Sequence, residues 1–276
     1  MNTLREFICY NQKEIIRFEY TISQLHKDFR ISMEKDSKEI QEEKYNTLIL
    51  ESFNLLENIF DKNTKYIINT FGKNNDNLRV SVKMIDDDNI VDIYRNTKDS
   101  MIFSQSKISE NSGFDTIKSD KVLFYLNDNV EESFKNGTYK NHRLDIGKKE
   151  ALLNGDITWE DCWTPYESGE NTSYNSTLII PMSITSEDED KNSVFYKNFF
   201  EKKTDGKANL NSRAIWGYLC LDSESKNFFS GIKDFDVLDL GFIITDIISL
   251  YLVFFYNYTS GSESIANFLE FNKESK

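Results

Sequence analysis

Residues 238–258 read LDLGFIITDIISLYLVFFYNY, and a stretch so apolar must leave water on folding. Its length matches a membrane-spanning helix, which needs roughly 20 apolar residues. Asp239 and Asp246 interrupt it, however, and no Lys or Arg closely follows it. A charge at the centre of a bilayer is costly. The run is therefore expected to be a buried helix over Asp234–Tyr258, packed on a sheet or on a partner chain, with Asp234 or Asp236 as its N-cap. A helix with so little polar surface needs a domain around it, and a chain of 276 residues is long enough to supply one.

The N-terminal segment is periodic in another way. Leu4, Ile8, Asn11, Ile15, Phe18, Ile22, Leu25 and Phe29 recur at alternating spacings of four and three. That pattern predicts a helix over residues 3–31 with a heptad seam, opened by the capping box Thr3-Leu4-Arg5-Glu6. Two coverings of the seam stay open: a coiled-coil partner, or the helix folded back on its own domain. The charged run at 32–43 either hinges or continues the helix. Leu48, Phe53, Leu56, Ile59, Phe60, Ile67 and Phe71 predict a second helix over 44–71, stopped at Gly72.

The period then changes to two. Leu78 to Met84 alternates strictly, Asp86 to Asn89 is a turn, and Ile90 to Tyr94 is a second strand, so 78–94 reads as a hairpin. A short third strand is expected at Met101–Phe103, and a helix near Asp120–Tyr125. Ser176 to Ile184 is a buried strand whose Pro181 suggests an edge or an end. Residues 185–210 form a charged insertion. Arg213 to Leu221 is the last strand, with Gly217 where a bulge or close packing is required. Helices at both ends of a run of strands predict an α+β domain with an antiparallel sheet.

Charge and cysteine usage bound the function. There are 33 Lys plus Arg against 46 Asp plus Glu, a formal net charge of -13, so nucleic acid and anionic membrane surfaces are poor partners. Cys9, Cys162 and Cys220 are scattered, without CxxC spacing, and with His26 and His142 they suggest no zinc site and no disulfide scaffold. The N-terminus lacks an apolar signal core. The chain reads as cytoplasmic, with no metal and no cofactor. The acidic runs at 86–88 and 187–190 lack EF-hand spacing and read as solvated loops.

Several strand texts together resemble the GAF domain: RVSVKMIDDDNIVDIYRN, STLIIPMSI and AIWGYLCLDSESKNFFSGIKDFDVL. The order Ser176, Thr177, Pro181, Met182, Gly217, Leu219, Asp222, Phe229, Asp234 is similar to the pattern of that family. The resemblance covers about residues 44–258. It implies a five- or six-stranded antiparallel sheet with the terminal helices on one face and a small-molecule pocket on the other. The expected domains are a helical extension at 1–43, a GAF-like domain at 44–260 and a tail at 261–276.

The resemblance also implies chemistry. Asp222-Ser223 stands where cyclic-nucleotide GAF domains carry Asn-Lys, and Cys162 is followed by Trp163 rather than His, which argues against a cyclic nucleotide and against a bilin. GAF enzymes that reduce free methionine sulfoxide use several cysteines, whereas Cys162 would stand alone. No residue is assigned a catalytic role, and His142 has no nameable partner as a base. The expected ligand-binding residues are Phe103, Tyr125, Tyr139, Asn141, Arg143, Trp159, Asp161, Trp163, Tyr166 and Tyr174, although the same aromatics would equally fill the pocket as core. The expected function is a non-enzymatic sensor or regulatory protein. It would dimerise through the N-terminal helix and helix 234–258, bind an unknown small molecule and signal to an effector protein. The alternatives are a ligand-free adaptor and, behind it, a redox enzyme using Cys162.

Overall fold

The computed structural model describes residues 2–71, 78–97, 104–120, 122–165, 173–185, 213–230 and 235–259. In chain order the elements are α1 (Asn2–Lys35), α2 (Lys38–Phe71), β1 (Leu78–Asp86), β2 (Asn89–Arg95), β3 (Gln105–Lys107), α3 (Ser112–Asp120), β4 (Tyr125–Asn127), α4 (Val130–Lys135), α5 (Lys149–Asn154), β5 (Ser176–Thr185), β6 (Arg213–Ser223) and α6 (Phe235–Thr259). The chain divides into two compact units, residues 1–70 with 246–276, and residues 71–245.

The first unit holds α1, α2 and the C-terminal part of α6. The seam of α1 meets its own chain: Phe18 packs edge-on against Tyr251 and Phe29 lies against Tyr45, while Phe7, next to the seam, packs edge-on against Tyr66. Asn11, the one polar member of the seam, is buried and exchanges hydrogen bonds with Asn63, while the Tyr251 hydroxyl donates to its Oδ1 at 2.7 Å. A buried amide is tolerable only when so satisfied. Leu238–Thr259 is long and apolar enough to cross a membrane by composition. Ile248, Tyr251, Leu252 and Phe255 are nevertheless buried in the protein, as expected of a core helix. The capping-box side chain Thr3, Gly72, Asp234 and the side chain of Asp236 lie outside the described residues, as do the charged insertion from 186 to 212 and the tail.

The second unit is an antiparallel sheet of order β3-β2-β1-β6-β5-β4. This is the α+β, GAF-like arrangement that the sequence predicts. One sheet face is lined by Leu78, Val80, Val82 and Met84 and their neighbours Ile180, Met182 and Leu219, all buried. Phe71 and the first turns of α6 cover it: a Cβ on Gly241 would meet Phe71 at 2.8 Å and Ile180 at 2.9 Å. A Cβ on Gly217 would stand 2.5 Å from the Lys83 carbonyl oxygen, beside a register shift at Met182/Ser183, so close packing and a bulge coincide there.

Two local expectations differ from the structure, and a third lies outside the described residues. Pro181 is not on an outer strand, since β5 lies between β6 and β4. Yet β4 pairs with Thr177–Ile179 and stops short of Pro181, so among the described residues no strand partners β5 on that side at Pro181. The helix expected at 120–125 is displaced: α3 ends at Asp120 and Tyr125 begins β4. Phe114 and Ile117 give α3 its buried face, while pairing with β5 extends Tyr125. Met101–Phe103 lies outside the described residues, and the third strand is the polar triplet Gln105–Lys107, paired to β2.

Candidate functional site

The second face of the sheet carries the polar residues of the same alternation. On β1 these are Arg79, Ser81 and Lys83, on β6 Cys220 and Asp222, and on β5 Thr177, with the apolar Ile179 beside them on the same face. From β2 come Asp92 and Arg95, three residues apart. A regular strand would send them to opposite faces. The register shift at Val82/Lys83 aligns Asp92 with Lys83 and Arg95 with Ser81, so both turn the same way.

The segment between β3 and β5 roofs this face. It is fastened to itself: Ser112 N donates to Lys140 O at 3.0 Å, Lys140 N donates to the Ser112 hydroxyl at 2.8 Å, and Thr164 N donates to Arg143 O at 2.8 Å. A core of Val130, Phe134, Tyr139, Leu152, Trp159, Cys162 and Trp163 holds it rigid. Between roof and sheet lies a cavity with about 70 Å³ for the centres of water-sized molecules, room for several waters or one small ligand.

Among the described residues four cations line it, Arg79, Lys83, Arg95 and Arg143, with Asp222 as the lining carboxylate. Asp92 lies behind them, fully buried. It accepts from Lys83 and from Arg95, and from the Ser104 hydroxyl at 2.6 Å. Burial alone would raise its carboxyl, but the Lys83 and Arg95 charges overcome this and hold it at about 2. Asp222 shifts the other way: burial dominates and raises it, opposed by the Thr177 hydroxyl and the Arg79 and Lys83 charges. Arg79 pairs with Glu224 at 2.9 Å, and Arg143 donates twice to Thr164 O while stacking over the Trp163 ring. His142 lines the cavity with part of its surface open to solvent. The burial of the rest of the ring, then the Lys83 and Arg143 charges, hold it below the usual imidazole range, so the neutral form is favoured near pH 7.

Of the residues expected to bind ligand, Tyr139, Asn141, Arg143, Trp163 and Tyr174 line this cavity. They are linked: the Tyr139 and Tyr174 hydroxyls are 2.7 Å apart and Asn141 Nδ2 donates to Tyr174 at 3.0 Å. Tyr125 and Trp159 are not in the lining. Tyr125 packs against both apolar clusters beside the cavity, and Trp159 belongs to the core of the roof. Asp161 is exposed and caps its own turn, accepting from Thr158 N and Oγ1 at 2.8 Å each. Phe103 and Tyr166 lie outside the described residues. The charged strand residues were not among those named from sequence. Their signal was present in Arg79 and Lys83 on alternate positions of β1, but such positions read equally as a solvated face.

All three cysteines are free, Cys9 exposed and the other two buried. Cys162 sits in the roof core, its Sγ donating to Thr158 O at 3.8 Å, and burial pushes its thiol up. Cys220 lines the cavity and is pushed up further by burial. Iodoacetamide at pH 8 is expected to label Cys9 at least about tenfold faster than either buried cysteine, because only an accessible thiolate reacts. Mass spectrometry of the labelled peptides reads this, and similar rates at all three would contradict the burial.

No family model and no curated protein matches the chain. Among solved structures it is similar to fRMsr of Staphylococcus aureus in complex with substrate, at 13% identity and a TM-score of 0.36, over 75% of this chain and 95% of that one. The reduced form of the same protein gives 11% identity and a TM-score of 0.35, over 75% and 94%. The free methionine-R-sulfoxide reductase from Neisseria meningitidis in complex with its substrate gives 10% and 0.36, over 76% and 85%. The structures named are enzymes, not sensors or signal transducers. The expectation of a non-enzymatic sensor, and with it the ligand-free adaptor, is corrected on this finding and is not kept. At such identities and TM-scores the likeness transfers neither substrate nor reaction to this chain.

Proposed function

We propose that the second unit holds a small organic anion, bearing a carboxylate or a phosphate, in the cavity over its sheet. The observation that carries this reading is the charge of the wall, four cations against the Asp222 carboxylate among the described lining residues. Asp92 pairs with Lys83 and Arg95, and Glu224 with Arg79, so these cations are already held in place beside the cavity, and a ligand anion would add one more partner there. Arg side chains suit carboxylate and phosphate because their planar donors can meet two oxygens at once. Asn141, Thr177 and Tyr174 supply the polar contacts that orient a ligand. Cys220 is the one cysteine among the described lining residues, and burial keeps its thiol protonated, so the reading rests on binding and not on a thiolate. We place the protein in the cytoplasm, a setting that suits three free cysteines.

All three tryptophans, Trp159, Trp163 and Trp216, belong to this unit, so their fluorescence reports on it alone. Titration with malonate and with inorganic phosphate is expected to show saturable binding that weakens with salt. Arg143→Gln and, separately, Arg79→Gln should each weaken it about 10–100-fold, the worth of one hydrogen bond to a charged group. No saturable binding, or binding unchanged in both variants, would overturn the reading.

A further inference from the structure

The sequence offers His142 as a base without a partner, and the structure supplies one. Asn111 is buried, and both ends of its amide are spoken for. Its Nδ2 donates to Lys107 O at 2.8 Å and to the Ser106 hydroxyl at 3.3 Å. Its Oδ1 accepts the backbone N–H of His142 at 3.4 Å and stands 3.0 Å from His142 Nδ1. A carbonyl on one side and a backbone N–H on the other leave the amide only one orientation. Its oxygen therefore faces the ring, Nδ1 must carry the proton, and in the neutral imidazole Nε2 keeps its lone pair. Among the described residues no donor meets Nε2, and His142 lines the cavity.

We propose that His142 is the proton acceptor of this cavity: its Nε2 receives a hydrogen bond from an O–H or N–H of the bound anion and takes that proton when the ligand reacts. The proposal rests on the cavity's being an anion site. It adds that the ligand carries, besides its anionic head, an ionisable O–H or N–H. In the step the ligand's O–H or N–H bond breaks, its electron pair stays on the ligand, and the proton forms a bond to Nε2. The imidazolium is held by Asn111, and the new negative charge lies near Lys83 and Arg143. No electrons are exchanged with another reactant.

The charged groups facing His142 are Lys83 on β1, Asp92 on β2, Glu110 in the turn before α3, and Arg143 on its own loop. Partial burial first, and then the two cations, favour the neutral imidazole. A bound anion opposes them, so binding and protonation of His142 favour each other.

The test is NMR of uniformly ¹⁵N-labelled protein, which reads both the histidine rings and the backbone amides. The chain has two histidines, so a His26→Gln variant assigns both. From pH 8 to pH 5 the free protein should show a protonated Nδ1 and a bare Nε2 at His142, and saturating malonate should raise the ring's titration midpoint by about one unit or more. Asn111→Ala should release the tautomer, so that part of the neutral population carries its proton on Nε2, whereas a merely structural Asn111 would leave the proton on Nδ1. A proton on Nε2 of the parent, or an imidazolium in the free protein near pH 6.5, overturns the proposal. Malonate that perturbs the amides of Asn141 and Thr177 but not the His142 midpoint overturns it while leaving the anion site standing. Malonate that perturbs neither refutes the anion site, and the proposal with it.

Discussion

Replacing Asp92 with Ala is expected to destabilise the second unit by about 3–5 kcal/mol, the cost of stranding buried charges without their partner. Asp92 is the common acceptor for Lys83, Arg95 and Ser104, and its side chain is 2% exposed. Its removal leaves two cations facing each other across β1 and β2 with one acceptor fewer. The same residue gives an acid limb. Its folded carboxyl is held at about 2, below the roughly 3.9 of an unfolded Asp. Its contribution, about 2–3 kcal/mol, is therefore complete above about pH 4 and disappears as pH falls through about 2. Urea unfolding followed by tryptophan fluorescence measures both. A loss below about 1 kcal/mol in Asp92→Ala, or an acid limb unchanged by the variant, would contradict the central place given to this carboxylate.

The second large effect is expected in the roof. Trp163→Ala should cost about 3–5 kcal/mol, as large aromatic truncations in a core do. Trp163 is 2% exposed, packs edge-on against Trp159 and obliquely against Tyr174, and lies under the Arg143 guanidinium. Trp163→Phe keeps most of that area and should cost much less. Circular dichroism melts of the two variants decide the matter. A Trp163→Ala protein as stable as the parent would make Trp163 a ligand platform free of the core.

The aromatic segment contributes Tyr139, Trp163 and Tyr174 to the cavity wall, but aromatic residues do not announce whether they meet a ligand or each other. Trp159 and Tyr125 turned out to belong to packing. The helices at both ends, the hairpin and the two long strands followed from periodicity, because each buries a continuous apolar face. The strands β3 and β4 escaped it: Gln105–Lys107 has no apolar residue, and Tyr125–Asn127 is too short for an alternation. The charged floor escaped for a different reason. Arg79 and Lys83 looked like the wet side of a strand because the roof that covers them is far away in sequence. Asp92 and Arg95 share a face only through a register shift that spacing does not encode. His142 was noticed, while its partner Asn111 was not, since 31 residues separate them.

The central claim is that the cavity between sheet and roof takes a small anion. Soaking crystals in selenate, a dianion whose selenium scatters anomalously, tests it directly. The account predicts an anomalous peak inside the cavity, among Arg79, Lys83 and Arg143, that disappears in Arg143→Gln and Arg79→Gln crystals. Peaks confined to surface lysines, with none in the cavity, would contradict it.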